Sequence, residues 1–164
     1  MNRVGLGGSC HWCTEAIFQS LKGVEKVDQG WISSVEFPSM SEAVVVHFDS
    51  NIIPMEVLIE IHLQTHSCTS NHPMREKYRS AVYVYNNKQS KQAKNVIKDL
   101  KPQFEKSIIT KVLTFQAFKI NKEEYLDYYF KNPEKAFCKT QINPKLKKLI
   151  ALFASNVDSC KLKL

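Results

Sequence analysis

The 164-residue sequence has no apolar run approaching the roughly 20 residues that a bilayer-spanning helix needs, so no membrane partner is expected. Its opening, Met1-Asn2-Arg3-Val4-Gly5, lacks the hydrophobic stretch of a secretory signal, and a cytoplasmic protein is the expectation. It contains no helix-turn-helix, zinc-finger or other nucleic-acid signature to accompany its net charge of +7. The lysines are dispersed, apart from groups at 88–101 and 139–148, and read as solvated helix faces with no nucleic-acid partner. Internal repeats, low-complexity stretches and dividing linkers are absent, so one catalytic domain over 1–164 is expected, with 155–164 a loose polar tail. The five cysteines, at 10, 13, 68, 138 and 160, are an odd and scattered set that excludes a fully paired structural framework. In a reducing compartment they are thiols, and any disulfide among them is transient.

What is present is an ordinary globular composition, 43% hydrophobic and 24% charged, sufficient for a real core. Strands are expected over residues 3–7, 24–33, 42–49, 80–85 and 108–115, the third marked by the β-branched run Val44-Val45-Val46. Helices are expected over 13–21, from Pro54 to about 63, over 90–100, over 123–130 behind an Asn121 cap, and from Pro144 to about 154. Residues 65–77 have no periodicity and read as an irregular loop. This alternation predicts an α/β (α+β) fold, a two-layer sandwich of a mixed sheet and flanking helices.

Cys10-His11-Trp12-Cys13 stands at the junction of the first strand and first helix, after Gly7-Gly8. A thiol there faces unpaired backbone N–H groups and the positive end of the helix dipole, which favour the thiolate. The pair therefore reads as a redox or nucleophilic site, with two buried helix cysteines as the bland alternative. A zinc site would need a second ligand pair. Cys68, Cys138, His66 and His72 are available but form neither a second Cys-x-x-Cys nor a His pair of the right spacing, so no metal is expected.

Glu42, at the start of an apolar strand, is either an exposed strand-start residue or, in a partly dry pocket, a proton donor. Tyr78 either hydrogen-bonds a ligand oxygen or is an aromatic at the sheet edge. Cys138, after the Asn132-Pro133 turn, reaches another sulfur only if the fold brings one near.

Taken together and in order, these segments resemble the type A peptide methionine sulfoxide reductases over most of the chain. Gly8-Ser9-Cys10-His11-Trp12-Cys13-Thr14-Glu15 is similar to that family's Gly-Cys-Phe-Trp-Gly/Cys-x-Glu motif, with one inserted serine and one Phe-to-His change. Ser41-Glu42-Ala43-Val44 with Phe48-Asp49, and Tyr78-Arg79-Ser80-Ala81-Val82-Tyr83, resemble two of its strands. Tyr125-Leu126 with Asn132-Pro133, and Phe137-Cys138 with Ile142-Asn143-Pro144-Lys145-Leu146, resemble its ending.

The resemblance implies a ferredoxin-like core and thiol-dependent reduction of methionine S-sulfoxide, free or in oxidised proteins. It makes Cys10 the nucleophile, Glu42 the proton donor to the departing oxygen and Tyr78 a ligand of that oxygen. His11, Trp12 and Trp31 take the substrate-binding positions. It implies a Cys10 sulfenic acid resolved by Cys138, with Cys13 the alternative partner, and a monomer with no cofactor beyond an external dithiol such as thioredoxin. His11 and Trp31 depart from an aromatic and a tyrosine of the family, and the family's acidic residue ahead of Tyr78 has no counterpart in Asn71-His72-Pro73-Met74-Arg75-Glu76-Lys77. On the residues alone, a general dithiol oxidoreductase using Cys10 and Cys13, or a divergent module that has lost the reaction, remain the alternatives.

Overall fold

A computed structural model describes residues 2–162. The strands are β1 (Asn2–Gly7), β2 (Val24–Ser34), β3 (Ser41–Phe48), β4 (Ala81–Val84) and β5 (Lys111–Ile120), and β3 and β4 are buried on both faces along nearly all of their length. Between and after them lie helices α1 (His11–Gln19), α2 (Met55–Thr65), α3 (Asn87–Leu100), α4 (Tyr128–Lys131) and α5 (Asn143–Phe153). The class is the expected one, a mixed sheet with flanking helices. Its strands hydrogen-bond in the order β1-β3-β2-β5-β4, and β4 pairs back onto β1, so the sheet closes into a small barrel. β4 and β5 run parallel; the other pairings are antiparallel.

The period-two alternation of the strands divides the core in two. Ile32, Ala43, Val45, Ala81, Tyr83 and Leu113 fill the barrel, while Val4, Leu6, Val44, Val46 and Val82 join the larger cluster formed with the helices. Gly5 belongs to the crowded side: a Cβ there would lie 2.8 Å from Tyr83 Cβ and 2.9 Å from Ile32 Cδ1. Closure follows from this economy of volume, since a bare backbone at Gly5 leaves room for the Tyr83 ring. No helix among the described residues is long and apolar enough to cross a membrane.

Several local expectations give way to long-range contacts. The strand expected over 108–115 instead runs from Lys111 to Ile120, because residues 117–120 find partners along β2. The helix expected over 123–130 is replaced by a 3-10 turn, Glu123–Tyr125, and the short α4. Between them Asp127 adopts a left-handed backbone, φ 54°. The cause is Glu15 of α1, whose carboxylate accepts the backbone N–H groups of Asp127 and Tyr128 at 3.0 and 3.1 Å. Gln19 adds a donation to Asp127 Oδ1 at 2.6 Å. Asn121 does not cap a helix; it donates to Gln29 Oε1 at 2.7 Å and accepts the N–H of Lys122.

The tail expected to be loose is docked as far as it is described. Lys22 N–H donates to Asn156 O and Asp158 N–H to Ser20 O, both at 2.8 Å, and Leu21 bridges Val157. The Lys161 ammonium caps the carbonyls of Leu21 and Val24, and Leu162 is buried. Carbonyls and N–H groups left free after α1 thus find their partners in this segment. Residues 163–164 of the expected tail lie outside the described residues.

Candidate active site

The site is built around the start of α1. After β1 the chain turns at Gly8, whose φ of +148° suits glycine, and a Cβ there would lie 2.5 Å from His66 Cδ2. The turn delivers Cys10 as the residue capping α1, its carbonyl accepting the N–H groups of Cys13 and Thr14 at 3.1 and 3.2 Å. The extra serine of the motif is accommodated through a 3.1 Å bond between Ser9 Oγ and Thr14 Oγ1. Helix α1 begins at His11, two residues earlier than expected, so Cys13 sits in its first turn.

Cys10 is partly buried, while Cys13 and Cys138 are buried. The two thiols of the Cys-x-x-Cys pair interact and shift each other's pKa in opposite directions. Cys10 lowers the pKa of Cys13 most, with Lys145 assisting and burial opposing. Cys13 raises the Cys10 pKa most, with burial next, against a backbone N–H of Trp12 that favours its thiolate. Helix-start stabilisation was expected to favour the thiolate of Cys10; the neighbouring Cys13 opposes this, raising the pKa of Cys10 while its own is lowered. Cys138 opens the π-helical turn Cys138–Ile142, its pKa raised first by burial and also by the nearby Cys13, with Lys135 opposing. Cys13 therefore interacts with both of the other sulfurs.

Glu42 is not an exposed strand-start residue; it retains 5% of its accessible surface. It stands opposite Trp31 in the β2–β3 ladder, on the helix side of the barrel. Its Oε1 accepts the backbone N–H of His11 at 3.3 Å and lies 3.2 Å from His11 Nε2, while its Oε2 lies 3.6 Å from Lys77 Nζ. Glu42 N–H and Ser41 Oγ both donate to Lys77 O at 2.9 Å, and Arg79 N–H donates to Ser41 Oγ at 2.8 Å. These bonds lash residues 77–79 to β3 and leave Tyr78 half-buried, its ring 5.1 Å from the Lys77 ammonium.

His11 is buried, with Nδ1 2.9 Å from Gly30 O and its ring edge-on to Trp31 at 5.2 Å. Burial lowers its pKa most, and Gly30 O and Glu42 pull the other way. Gly30 must be glycine because β5 crosses it closely: a Cβ would fall 2.0 Å from Lys119 O. Trp31 thus lies against His11.

Trp12 stacks on Tyr128, centroids 3.9 Å apart and planes within 3°, and meets Phe137 edge-on at 5.5 Å and Tyr125 at 6.0 Å. Tyr125, Tyr128 and Phe137 did not figure as site residues in the sequence reading; the density of aromatics between 125 and 137 is the signal that marks them. The Tyr128 hydroxyl has a raised pKa, from burial first and then from Cys138 and Cys10, which places the phenol within electrostatic reach of both sulfurs. Glu15 holds this segment in place. Its carboxyl is pushed up to about 7 by burial, with the N–H of Asp127, Gln29 and the N–H of Tyr128 opposing. Cys68 is buried in the 65–77 loop and Cys160 is exposed. Among the described residues, no three His, Cys, Asp or Glu side chains come together to hold a metal ion.

The start of α1 therefore presents one thiol flanked by a second, a buried carboxyl and an aromatic wall. Residues 2–156 match the family described as peptide methionine sulfoxide reductase. The peptide methionine sulfoxide reductase MsrA of Pasteurella multocida is 34% identical over 156 residues, covering 86% of this chain and 90% of that protein. Among solved structures, reduced Mxr1 from Saccharomyces cerevisiae superposes with a TM-score of 0.74 at 18% identity, covering 84% of this chain and 88% of that one. Mxr1 in complex with Trx2 gives 0.62 at 16% identity, over 75% and 82% of the two chains. Motif order, the extent of the family match and the relative's identity agree: the chain belongs to the peptide methionine sulfoxide reductase family.

Proposed function

We propose that the chain works as a single catalytic domain reducing methionine S-sulfoxide, free or in oxidised proteins, to methionine. The observation that carries this reading is the meeting of Cys10 and buried Glu42 at one helix start: sulfur chemistry on a polarised S=O needs a nucleophile for sulfur and an acid for oxygen. Cys10 attacks the sulfoxide sulfur while Glu42 protonates the oxygen and Tyr78 holds it. Trp12 receives the substrate methyl, with His11 and Trp31 shaping the pocket beside it. Cys10 gives up its proton to solvent as the sulfur attacks, its thiolate favoured by the backbone N–H of Trp12. The S–O bond breaks, methionine leaves, and the oxygen ends on Cys10 as a sulfenic acid, so substrate sulfur is reduced by two electrons and Cys10 oxidised by two.

A second thiol then condenses with the sulfenic acid, forming a disulfide and releasing water. Cys138 is the partner suggested by the family. The electrostatic interaction of Cys13 with both Cys10 and Cys138 supports a two-step route, Cys10–Cys13 first and then exchange onto Cys138. A thioredoxin-like dithiol in the cytoplasm completes the cycle for the monomeric enzyme; the yeast neighbour is seen with Trx2.

The defining experiment offers each sulfoxide epimer with a dithiol reductant. Methionine is expected from the S epimer; no turnover of it with any reductant overturns the reading. With thioredoxin, Cys13→Ser is expected to slow steady-state turnover at least about tenfold while leaving a first burst of one methionine per enzyme. Cys138→Ser should leave a Cys10–Cys13 disulfide that mass spectrometry detects. A Cys13→Ser enzyme that recycles at the unmodified rate removes the two-step route and leaves Cys138 as the direct partner.

A further inference from the structure

A second recess lies beside the Cys10 site. It is a cleft of about 730 Å³ between the loop after β2, the 71–80 segment and the entry to β5. Three cations line it, Arg75, Arg79 and Lys111, against one carboxylate, Glu76. Among the described residues, none of the three cations forms an ion pair. Neutral oxygens take up the hydrogen bonds of the arginines. Arg75 donates to the carbonyls of Ser70, Gly8, Tyr78 and Ser67 at 2.6 to 2.9 Å. Arg79 donates to Ser39 O at 3.2 Å and to Ser39 Oγ at 2.6 Å. Such bonds fix a guanidinium in place but leave its unit of charge uncancelled. Phe37 is exposed, and its ring centre lies 5.1 Å from the Arg79 guanidinium and 4.8 Å from the Lys111 ammonium.

The cleft and the reaction site share a wall. Lys77 O accepts the N–H of Glu42 at 2.9 Å, while Arg75, Glu76 and Arg79 on either side of it line the cleft. Arg75 also reaches Gly8 O, just before Ser9-Cys10. Arg79 is two residues from Lys77, at most about 7 Å along the backbone. A polypeptide with its sulfoxide at Cys10 and Glu42 therefore enters the cleft within about two to four residues.

We propose that this cleft seats the chain flanking the methionine sulfoxide of an oxidised protein, and that it selects acidic residues there. The proposal deepens the sulfoxide reading, naming the flank of its substrate, and rests on that reading for its catalytic consequence. Charge identifies the occupant: three cations against Glu76 attract a carboxylate and repel a lysine. Arg75 and Arg79, held by their oxygens, supply a fixed positive field. Exposed Lys111 makes the direct contact from the first residue of β5, and Phe37 offers an apolar surface to the stem of the acidic side chain. The stretch that lacks the family's acidic residue ahead of Tyr78 thus contributes Arg75, a charge of the opposite sign.

The test compares capped peptides with one methionine S-sulfoxide flanked by aspartates, by serines or by lysines. At low salt, kcat/KM for the aspartate peptide is expected to exceed that for the lysine peptide about tenfold or more, mainly through KM. Salt at about 0.5 M should remove most of the difference. Lys111→Glu should reduce the preference to within about twofold, leaving turnover of the serine peptide and the melting temperature unchanged, with Lys111→Ala in between. A preference below about twofold in the unmodified protein overturns the proposal, as does one that Lys111→Glu leaves intact. Slower reduction of the enzyme disulfide by thioredoxin in Lys111→Glu, with the peptide preference untouched, overturns it too and gives the cleft to the reductant. If the serine peptide is not turned over at all, the sulfoxide reading fails, and docking is read from the affinity of a labelled aspartate peptide with unoxidised methionine. Weaker binding in Lys111→Glu then upholds the cleft, and equal binding by the two proteins overturns it.

Discussion

Replacing Cys10 with serine is expected to abolish methionine formation from the S-sulfoxide, lowering the single-turnover rate by on the order of 10⁴-fold or more. The reason lies in the atom. Sulfur is the better nucleophile and can accept the sulfoxide oxygen as a sulfenic acid, whereas a serine hydroxyl has no such oxidation step open to it. The substitution leaves the fold intact, because position 10 caps α1 and serine is a preferred capping residue. The checks are methionine release, trapping of the sulfenic acid with a carbon nucleophile, and an unchanged melting temperature. A Cys10→Ser protein within tenfold of the original rate would remove Cys10 as the nucleophile.

The second large effect belongs to Glu42→Gln. Glutamine retains the shape and can still accept the His11 backbone N–H that Oε1 accepts at 3.3 Å, but it has no proton to give. General acid assistance contributes about 10²–10⁴-fold, and a loss of this size is expected in the step that forms the sulfenic acid. Reduction of the enzyme disulfide by a small dithiol should proceed at its original rate, since Glu42 has no part in that exchange. This split separates sulfoxide reduction from a general dithiol oxidoreductase working through Cys10 and Cys13, for which turnover would be indifferent to Glu42. Equal rates for the two proteins on the S-sulfoxide would leave the general oxidoreductase as the better reading.

Much of this was legible because the signals are short-range. Cys10 at a helix start follows from the glycines before it and the pattern after it. β3 follows from a β-branched run, and the first four strands fall close to where they are expected, while the fifth is displaced from 108–115 to Lys111–Ile120. The family motifs stand in one order along the chain, and that order carries the assignment. The opposite pKa shifts of the two neighbouring sulfurs were not legible, because the helix-start argument treats Cys10 alone. Cys13 acts on it from one turn away, and the outcome depends on burial and on Lys145 of α5. Nor was the broken helix over 123–130 legible. Its local pattern is helical, and the N–H groups that would continue it are captured by Glu15, more than a hundred residues earlier.

By itself, then, the sequence determined the class of fold, the family and the residue types available for chemistry. Each of these follows from spacing within an element or from the order of motifs. Tertiary structure alone decided that the sheet closes, that Glu42 is buried rather than exposed, and that His11 turns toward it. It also placed Tyr125, Tyr128 and Phe137 around Trp12. These are contacts between segments far apart in the chain, governed by volume, desolvation and hydrogen-bond partners that no local pattern records.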